Sequence, residues 1–288
     1  MLIGGVNPTG RVTLSPSEMQ YIAGGIKQNL RADGRSRVDW RVASGELGPV
    51  PQAAGSARFR LGGTDVIVSV KGDIGKPTLE KPLEGSVICT VDSSTVFSMN
   101  SSLGGTNEDR QMQQRNDELT VILNDILVKS GAIDLELFSL VPGKHCWVLY
   151  IDVLVLDYDG NLIDTIVMAA RLAISSMRLP KVRIEEGGEA TEVVLAEDVD
   201  SSRIIDISRL PVAVTIGKLG DGFLVDPSGA EETCCDAGLI IALLGDNVVM
   251  MRKLGCGMLD PGLLTEYISA AQTASVHLNT LSSNCISK

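Results

Sequence analysis

Chemistry in this chain is most plausible at the junction that follows the stretch Lys144 to Asp164. There Asp157-Tyr158-Asp159-Gly160-Asn161 supplies residues that tolerate a positive φ. An apolar run precedes them, and a helical pattern at Ile163, Ile166, Val167, Ala170, Ile174 and Met177 follows. A strand, tight turn and buried helix in that order aim backbone N–H groups and the positive helix end at one point. Such a point binds an anion if its side chains permit. Other reactive groups are sparse. His145 and Cys146 are neighbours on a strand, so they face opposite ways and form no nucleophile and base pair. Six cysteines, at 89, 146, 234, 235, 256 and 285, show no Cys-x-x-Cys spacing, and only two histidines accompany them. The pattern predicts buried thiols in a reducing compartment, with no metal and no cofactor. No Ser-His-Asp, Cys-His or clustered-carboxylate alternative occurs.

The elements that must position the junction follow from periodicity. From Trp147 to Leu156 every residue but Asp152 is apolar, which predicts an interior strand covered on both faces. Ser15-Pro16-Ser17-Glu18 opens a capped short helix ending near Asn29. Leu30 to Arg37, with Arg41, reads by charge as a polar surface turn. Gly55–Leu61 and Thr64–Val70 form a hairpin around Gly62-Gly63, and Ser86–Val91 is a further strand. Asn107 to Ser130 is a long helix closed by Gly131. Farther on, Val212–Leu219 and Phe223–Asp226 read as strands, Leu239–Leu244 and Val248–Arg252 as a hairpin, and Asp260-Pro261 opens a final helix. Each half thus runs strands then helices, an α+β arrangement with mixed or antiparallel sheets.

Net charge is −11, which argues against a free-standing nucleic-acid binder that neutralises phosphates. The excess is local: eight acids between Glu185 and Asp206, against Arg203 alone, leave that segment at −7. It reads as a solvated linker, since its spacing matches no calcium loop. The division is therefore 1–29, a loose extension and short helix; 30–184, a first half; 185–206, an acidic linker; and 207–288, a second half. No apolar run approaches the roughly 20 residues of a membrane span, and the N-terminus lacks a signal-peptide pattern, so a soluble, non-secreted protein is expected.

The collinear order of several short pieces carries a resemblance. Arg31-x-Asp33-Gly34-Arg35, then Gly55-Ser56-Ala57-Arg58-x-x-x-Gly62-x-Thr64-Asp65-Val66, then Trp147-x-x-x-x-Asp152-Val153 with Asp159-Gly160, is similar to the RNase PH family over residues 30–260. Glu80-Lys81-Pro82-x-Glu84-Gly85, His145 to Tyr150 and Met251-Arg252-Lys253-Leu254-Gly255 resemble one branch, the RNase PH-like ring subunits of the eukaryotic RNA exosome catalogued as component seven. The resemblance implies two packed βαβα-type halves and a six-membered ring of related subunits through which RNA threads. It also implies RNA-binding cap subunits, a docked hydrolytic nuclease, no membrane, and residence in nucleus, nucleolus and cytoplasm.

The family's active members bind phosphate with Gly, Thr or Ser, and Arg at the start of the helix after the central strand. Those places hold Asn161, Leu162 and Ile163 here, and an Ile cannot replace a guanidinium that grips phosphate. The family's two catalytic aspartates fall at Glu232 and Gly238, while Asp236 lies two residues early. The resemblance therefore implies a non-catalytic ring subunit that forms part of an RNA channel for processing, rRNA maturation included, and degradation. The alternative is an active phosphorolytic exoribonuclease with a site shared with a neighbour, using Asp236. Arginines that archaeal relatives present to RNA fall at Val121 and Asp125, so the basic candidates along an RNA path are Arg110, Arg115, Lys76 and Lys81.

Overall fold

A computed structural model describes residues 14–98, 106–180, 182–187, 190–195 and 209–286. In chain order the elements are α1 (Pro16–Lys27), β1 (Ala43–Leu47), β2 (Gly55–Leu61), β3 (Thr64–Gly75), β4 (Ser86–Asp92), α2 (Ser94–Ser98) and α3 (Thr106–Asn124). They continue with β5 (Ser139–Val141), β6 (His145–Asp157), α4 (Leu162–Ser175), β7 (Val182–Gly187) and β8 (Ala190–Leu195). The second half holds β9 (Val212–Leu219), β10 (Gly222–Val225), α5 (Gly229–Cys234), β11 (Ala237–Leu244), β12 (Asn247–Leu254) and α6 (Leu264–Ile286). Residues 1–13, the predicted loose extension, and 196–206 of the acidic run lie outside the described residues.

Two sheets organise the chain. The first has the order β1-β2-β3-β6-β4, with β5 added to β6, and the second the order β10-β9-β11-β12. β6 pairs antiparallel with β3 and parallel with β4, so the first sheet is mixed, whereas the second is antiparallel throughout. α4 is buried from Leu162 to Ile174, its polar residues Asp164, Thr165 and Arg171 included. A helix of that kind has no solvent face to offer and must be enclosed. It lies between the two sheets, and one core runs from Phe59, Val68 and Ile151 through Met168 and Leu172 to Val212 and Ile240. α6 closes the far side of the second sheet with Tyr267, Ala271 and Ala274 against Val214, Ile216 and Ile241.

Several expectations are corrected. β6 is interior but covered on one face only: Leu149, Ile151, Val153 and Val155 are buried, while Tyr150 is 37% exposed and Val148, Asp152 and Leu154 are half-buried. An apolar run reports what a face prefers, not whether its own chain supplies the cover, and here the packed helices lie on one side. The acidic segment is not wholly irregular: β7 and β8 form a separate hairpin with Glu185 opposite Glu192 in register. The long helix widens after Asn124 into a π-helical turn, Asp125–Lys129. α5 had no counterpart in the periodicity, being six residues long. Of the six thiols, Cys89, Cys146 and Cys235 are buried, Cys234 and Cys285 partly so, and Cys256 is exposed in a turn.

The halves approach closely at Gly160. Its φ is +81°, and a Cβ there would meet the Pro227 carbonyl oxygen at 2.5 Å and the Gly229 nitrogen at 2.6 Å. Gly160→Ala should therefore lower stability by about 2 kcal/mol or more, combining left-handed strain with a clash against main chain. Urea unfolding measures it, and a loss below roughly 0.5 kcal/mol, within the range of an ordinary surface change, would refute this account of the seam.

Candidate functional site: a junction that holds its own anions

β6 ends at Asp157, and the chain turns through Gly160 (φ +81°) and Asn161 (φ +51°) into α4. Consecutive left-handed residues point the Asn161 N–H outward from the helix start, as an anion site requires. That N–H already has an acceptor, the Glu232 carboxylate at 3.1 Å, which also accepts from the Tyr158 hydroxyl at 2.8 Å. Asn161 makes no capping bond to its own helix; its amide donates to Asp226 at 2.9 Å. One turn in, the fully buried Asp164 accepts the Thr215 N–H and hydroxyl, both at 2.7 Å. Glu232, Asp226 and Thr215 all belong to the second half. The positive end of α4 thus receives carboxylates of the same chain, and Leu162 and Ile163 behind it are buried.

The matching cations come from the segment that reads as a surface turn. Arg31 and Arg41 are in fact buried. Arg41 donates through Nη2 and Nε to both Asp226 oxygens, at 2.8 and 3.0 Å, and Arg35 adds a third contact at 3.0 Å. Arg31 grips Glu231 with Nε and Nη2 and donates to the Val225 and Asp226 carbonyls at 2.9 and 2.7 Å. Burial pushes the Asp226 carboxyl up, but Arg41 and Asn161 more than offset this and hold it below the ordinary range. Glu232 goes the other way: its burial outweighs Tyr158, Asn161 and Arg41, and the carboxyl is raised. Burial also raises Asp164 to about 7, against the Thr215 and Asn161 hydrogen bonds, with Asp226 adding to the rise.

The sequence candidates distribute as follows. Asn161, Leu162, Ile163 and Glu232 meet at this junction. Gly238 lies within β11, paired with Gly217 and Leu254, and brings no side chain. Asp236 is exposed and accepts the Gly220 N–H at 2.8 Å, which ties it to the β9–β10 turn. The basic candidates fall in two places along the chain. Lys76 and Lys81 sit before β4, Lys81 paired with Glu84 at 2.8 Å, whereas Arg110 and Arg115 lie near the start of α3 beyond the other end of β4. Seven residues of strand separate the two ends by about 20 Å. Arg115 is half-buried and faces Tyr158, Glu232 and Glu118; desolvation lowers its pKa and those groups counter it. Arg110 is exposed. The residues missed in the sequence, Arg41, Tyr158, Asp164, Thr215 and Asp226, show no local pattern, because each partner is more than 50 residues away.

The arrangement joins halves and leaves no reactive group poised. The carboxylates are engaged by internal donors, and burial raises the Cys89 thiol to about 12 and Cys235 further, so neither supplies a thiolate. Among the described residues no group of three His, Cys, Asp or Glu is placed to hold a metal ion, and no helix is long and apolar enough to cross a membrane.

Two outcomes test this seam. Arg41→Ala leaves the Asp226 charge buried with its main partner gone and should lower stability by about 3–5 kcal/mol; an Asp226→Asn, Arg41→Met double variant should recover much of that loss. Asp164 has a folded pKa, about 7, above its unfolded value of 3.8. The unfolded state therefore releases its proton first, and this group's contribution is full below pH 4 and lost as pH rises to 7. Urea unfolding at pH 5 and pH 8 should show wild type losing stability relative to Asp164→Asn at the higher pH; a pH-independent difference would contradict the shift.

Comparison with known proteins agrees with this geometry. Residues 39–180 match the model of the 3' exoribonuclease family, domain 1, and residues 209–274 match its domain 2. The chain is 31% identical to a Dictyostelium discoideum protein described as exosome complex exonuclease RRP42, covering 92% of this chain and 95% of that one. It is 35% identical to the exosome complex component Rrp42 of Thermococcus onnurineus, over 75% of each. A chain of the Archaeoglobus fulgidus exosome, solved with RNA bound to the active site, superposes with a TM-score of 0.74 at 28% identity, covering 91% of this chain and 96% of that one. With both family domains matched in order around the seam, the chain belongs to the 3' exoribonuclease (RNase PH) family, in its Rrp42 group.

Proposed function

We propose that this chain is a non-catalytic structural subunit of an RNA exosome core, contributing part of the channel that leads RNA to a 3'-5' exoribonuclease during RNA processing, including rRNA maturation, and degradation. The observation that carries the reading is the occupied helix end: Glu232 sits on the Asn161 N–H, and buried Leu162 and Ile163 stand where a phosphate-gripping arginine would be needed. An inorganic phosphate would have to displace an internal carboxylate from a buried seat and would find no guanidinium on that helix turn. The names of the Rrp42 relatives support an exosome as the setting.

The open face of the first sheet supports assembly. Ile67 lies opposite Leu154, and Tyr150 opposite Ile88, on the side that no helix among the described residues covers; Ile88 is 43% exposed. A half-apolar sheet face of this kind is suited to burial against another protein. The proposed partners are other RNase PH-like subunits in a six-membered ring, RNA-binding cap subunits and a hydrolytic nuclease, in nucleus, nucleolus and cytoplasm. RNA contact is proposed for Lys76, Lys81 and Arg110, with Arg115 directed inward.

Gentle purification of the C-terminally tagged protein from its own cells should return other RNase PH-like chains in stoichiometric amounts; recovery of only its own copies would refute the ring. In the assembled complex, Glu232→Gln should leave phosphate-dependent release of nucleoside diphosphates at the wild-type level, and its loss would favour a shared phosphorolytic site using this chain's acids. Replacing Lys76, Lys81 and Arg110 with Ala should weaken RNA binding by the ring and lower its salt slope by about 1 for each phosphate contact removed.

A further inference from the structure

Residues 16–38 and 275–286 lie outside both matched domains, and each stretch packs on the half to which it does not belong in sequence. The segment ahead of β1 runs along the second sheet. α1 packs on β10 and α5, and a Cβ on Gly222 would meet Cγ2 of the buried Ile26 at 3.1 Å. At the end of β10 the Val225 N–H donates to the Arg37 carbonyl at 2.7 Å, and the Val225 carbonyl accepts from Arg31 Nη1 at 2.9 Å. The Arg37 guanidinium lies 4.7 Å from the centre of the Phe223 ring, which meets Tyr267 of α6 edge-on at 5.2 Å. Just inside the first matched domain, Trp40 donates through Nε1 to the Ala274 carbonyl of α6 at 3.0 Å and packs against both cores.

The other end of the chain does the converse. Up to Ala274, α6 lies on the second sheet. Beyond it the helix changes core: Leu278 is fully buried in the cluster that holds Phe59, Leu172 and Ala173, and Leu281 and Cys285 pack against the same cluster. Asn279 accepts through Oδ1 from Arg171 Nη1 of α4 at 2.6 Å. A Cβ on Gly45 of β1 would meet Cys285 Sγ at 2.9 Å.

We infer that these two ends are reciprocal straps, each closing the opposite half, and that the two matched domains form a single folding unit. Chains of two domains ordinarily fold one domain at a time, the N-terminal first. Here the first half cannot be finished alone. Arg31 waits for Glu231, 200 residues later, and Arg171 of α4 waits for Asn279, 108 residues later. Burying a guanidinium ahead of its partner is unfavourable, and the seat of Leu278 over α4 stays empty until the last turns of α6 arrive. The second half is equally incomplete, with Val225 and the Phe223 ring uncovered until the first segment is laid on them. The inference concerns the chain itself and stands apart from the subunit reading.

Native-state amide hydrogen exchange of the isolated full-length chain tests it through the slowest amides of β3 and β11, one strand from each sheet. In wild type the two sets should open with the same free energy, their protection agreeing within about threefold. Trp40→Ala in one strap, and Asn279→Ala with Leu281→Ala in the other, should each speed exchange in both sheets by the same factor, about tenfold or more. Arg37→Ala, a milder change at the surface, should act in the same direction by a smaller factor and serves if Trp40→Ala does not fold. Wild-type protection that differs by more than about tenfold between the sheets would show two folding units and overturn the inference. A strap variant that speeds exchange in one sheet alone, or in neither, would overturn it as well.

Discussion

A carboxylate with no solvent exposure has to be matched where it lies, and Asp226 imposes that constraint on the whole molecule. Its two oxygens take the Arg41 guanidinium, and Arg35 and the Asn161 amide complete the shell. Arg41 leaves the strand region before β1, Asn161 stands at the head of α4, and Asp226 follows β10. Satisfying one buried charge therefore fixes the first segment of the chain, its central helix and its second sheet relative to one another. The left-handed conformations of Gly160, Asn161 and Asp226 belong to the same solution, since they turn these groups toward a common point.

The helix that this clamp orients is also the core shared by both sheets. α4 buries every face between them, so its N-terminus cannot be hydrated and its orphan N–H groups need partners from the protein. The second half supplies Glu232 as acceptor for the Asn161 N–H and, one turn later, the Thr215 N–H and hydroxyl that donate to the buried Asp164 carboxylate. In an enzyme with this architecture the same end of the helix would be kept open for a charged ligand. Here the donors stabilise the union of the halves, and filling them internally exchanges a reactive site for a rigid seam. That is the physical sense in which a member of an exoribonuclease family serves as scaffold.

Rigidity inside coincides with incompleteness outside. The described helices packed on the first sheet lie on one side, leaving Ile67, Ile88, Tyr150 and Leu154 partly exposed. That face is poorly suited to a solitary protein and well suited to one that borrows cover from neighbours. Of the basic candidates, Lys76 and Lys81 precede β4 and Arg110 follows it, near the start of α3.

Periodicity was sufficient for what depends on neighbours in sequence. The capping box at Ser15 and Glu18, the hairpin at Gly62-Gly63, the enclosed helix after Asn161 and the final helix after Pro261 are written in residues within a few positions of one another. That Asn161, Leu162 and Ile163 stand where active relatives bind phosphate was implied by the resemblance to the family and not by periodicity. Tertiary structure alone decided the rest. Arg31 and Arg41 look like surface charges until Glu231 and Asp226, nearly 200 residues away, are folded against them. β6 looks enclosed until the helices are seen to pack on one side only. Burial, charge pairing and the filling of a donor site are set by what the chain brings together in space, and local spacing carries no record of a partner that distant.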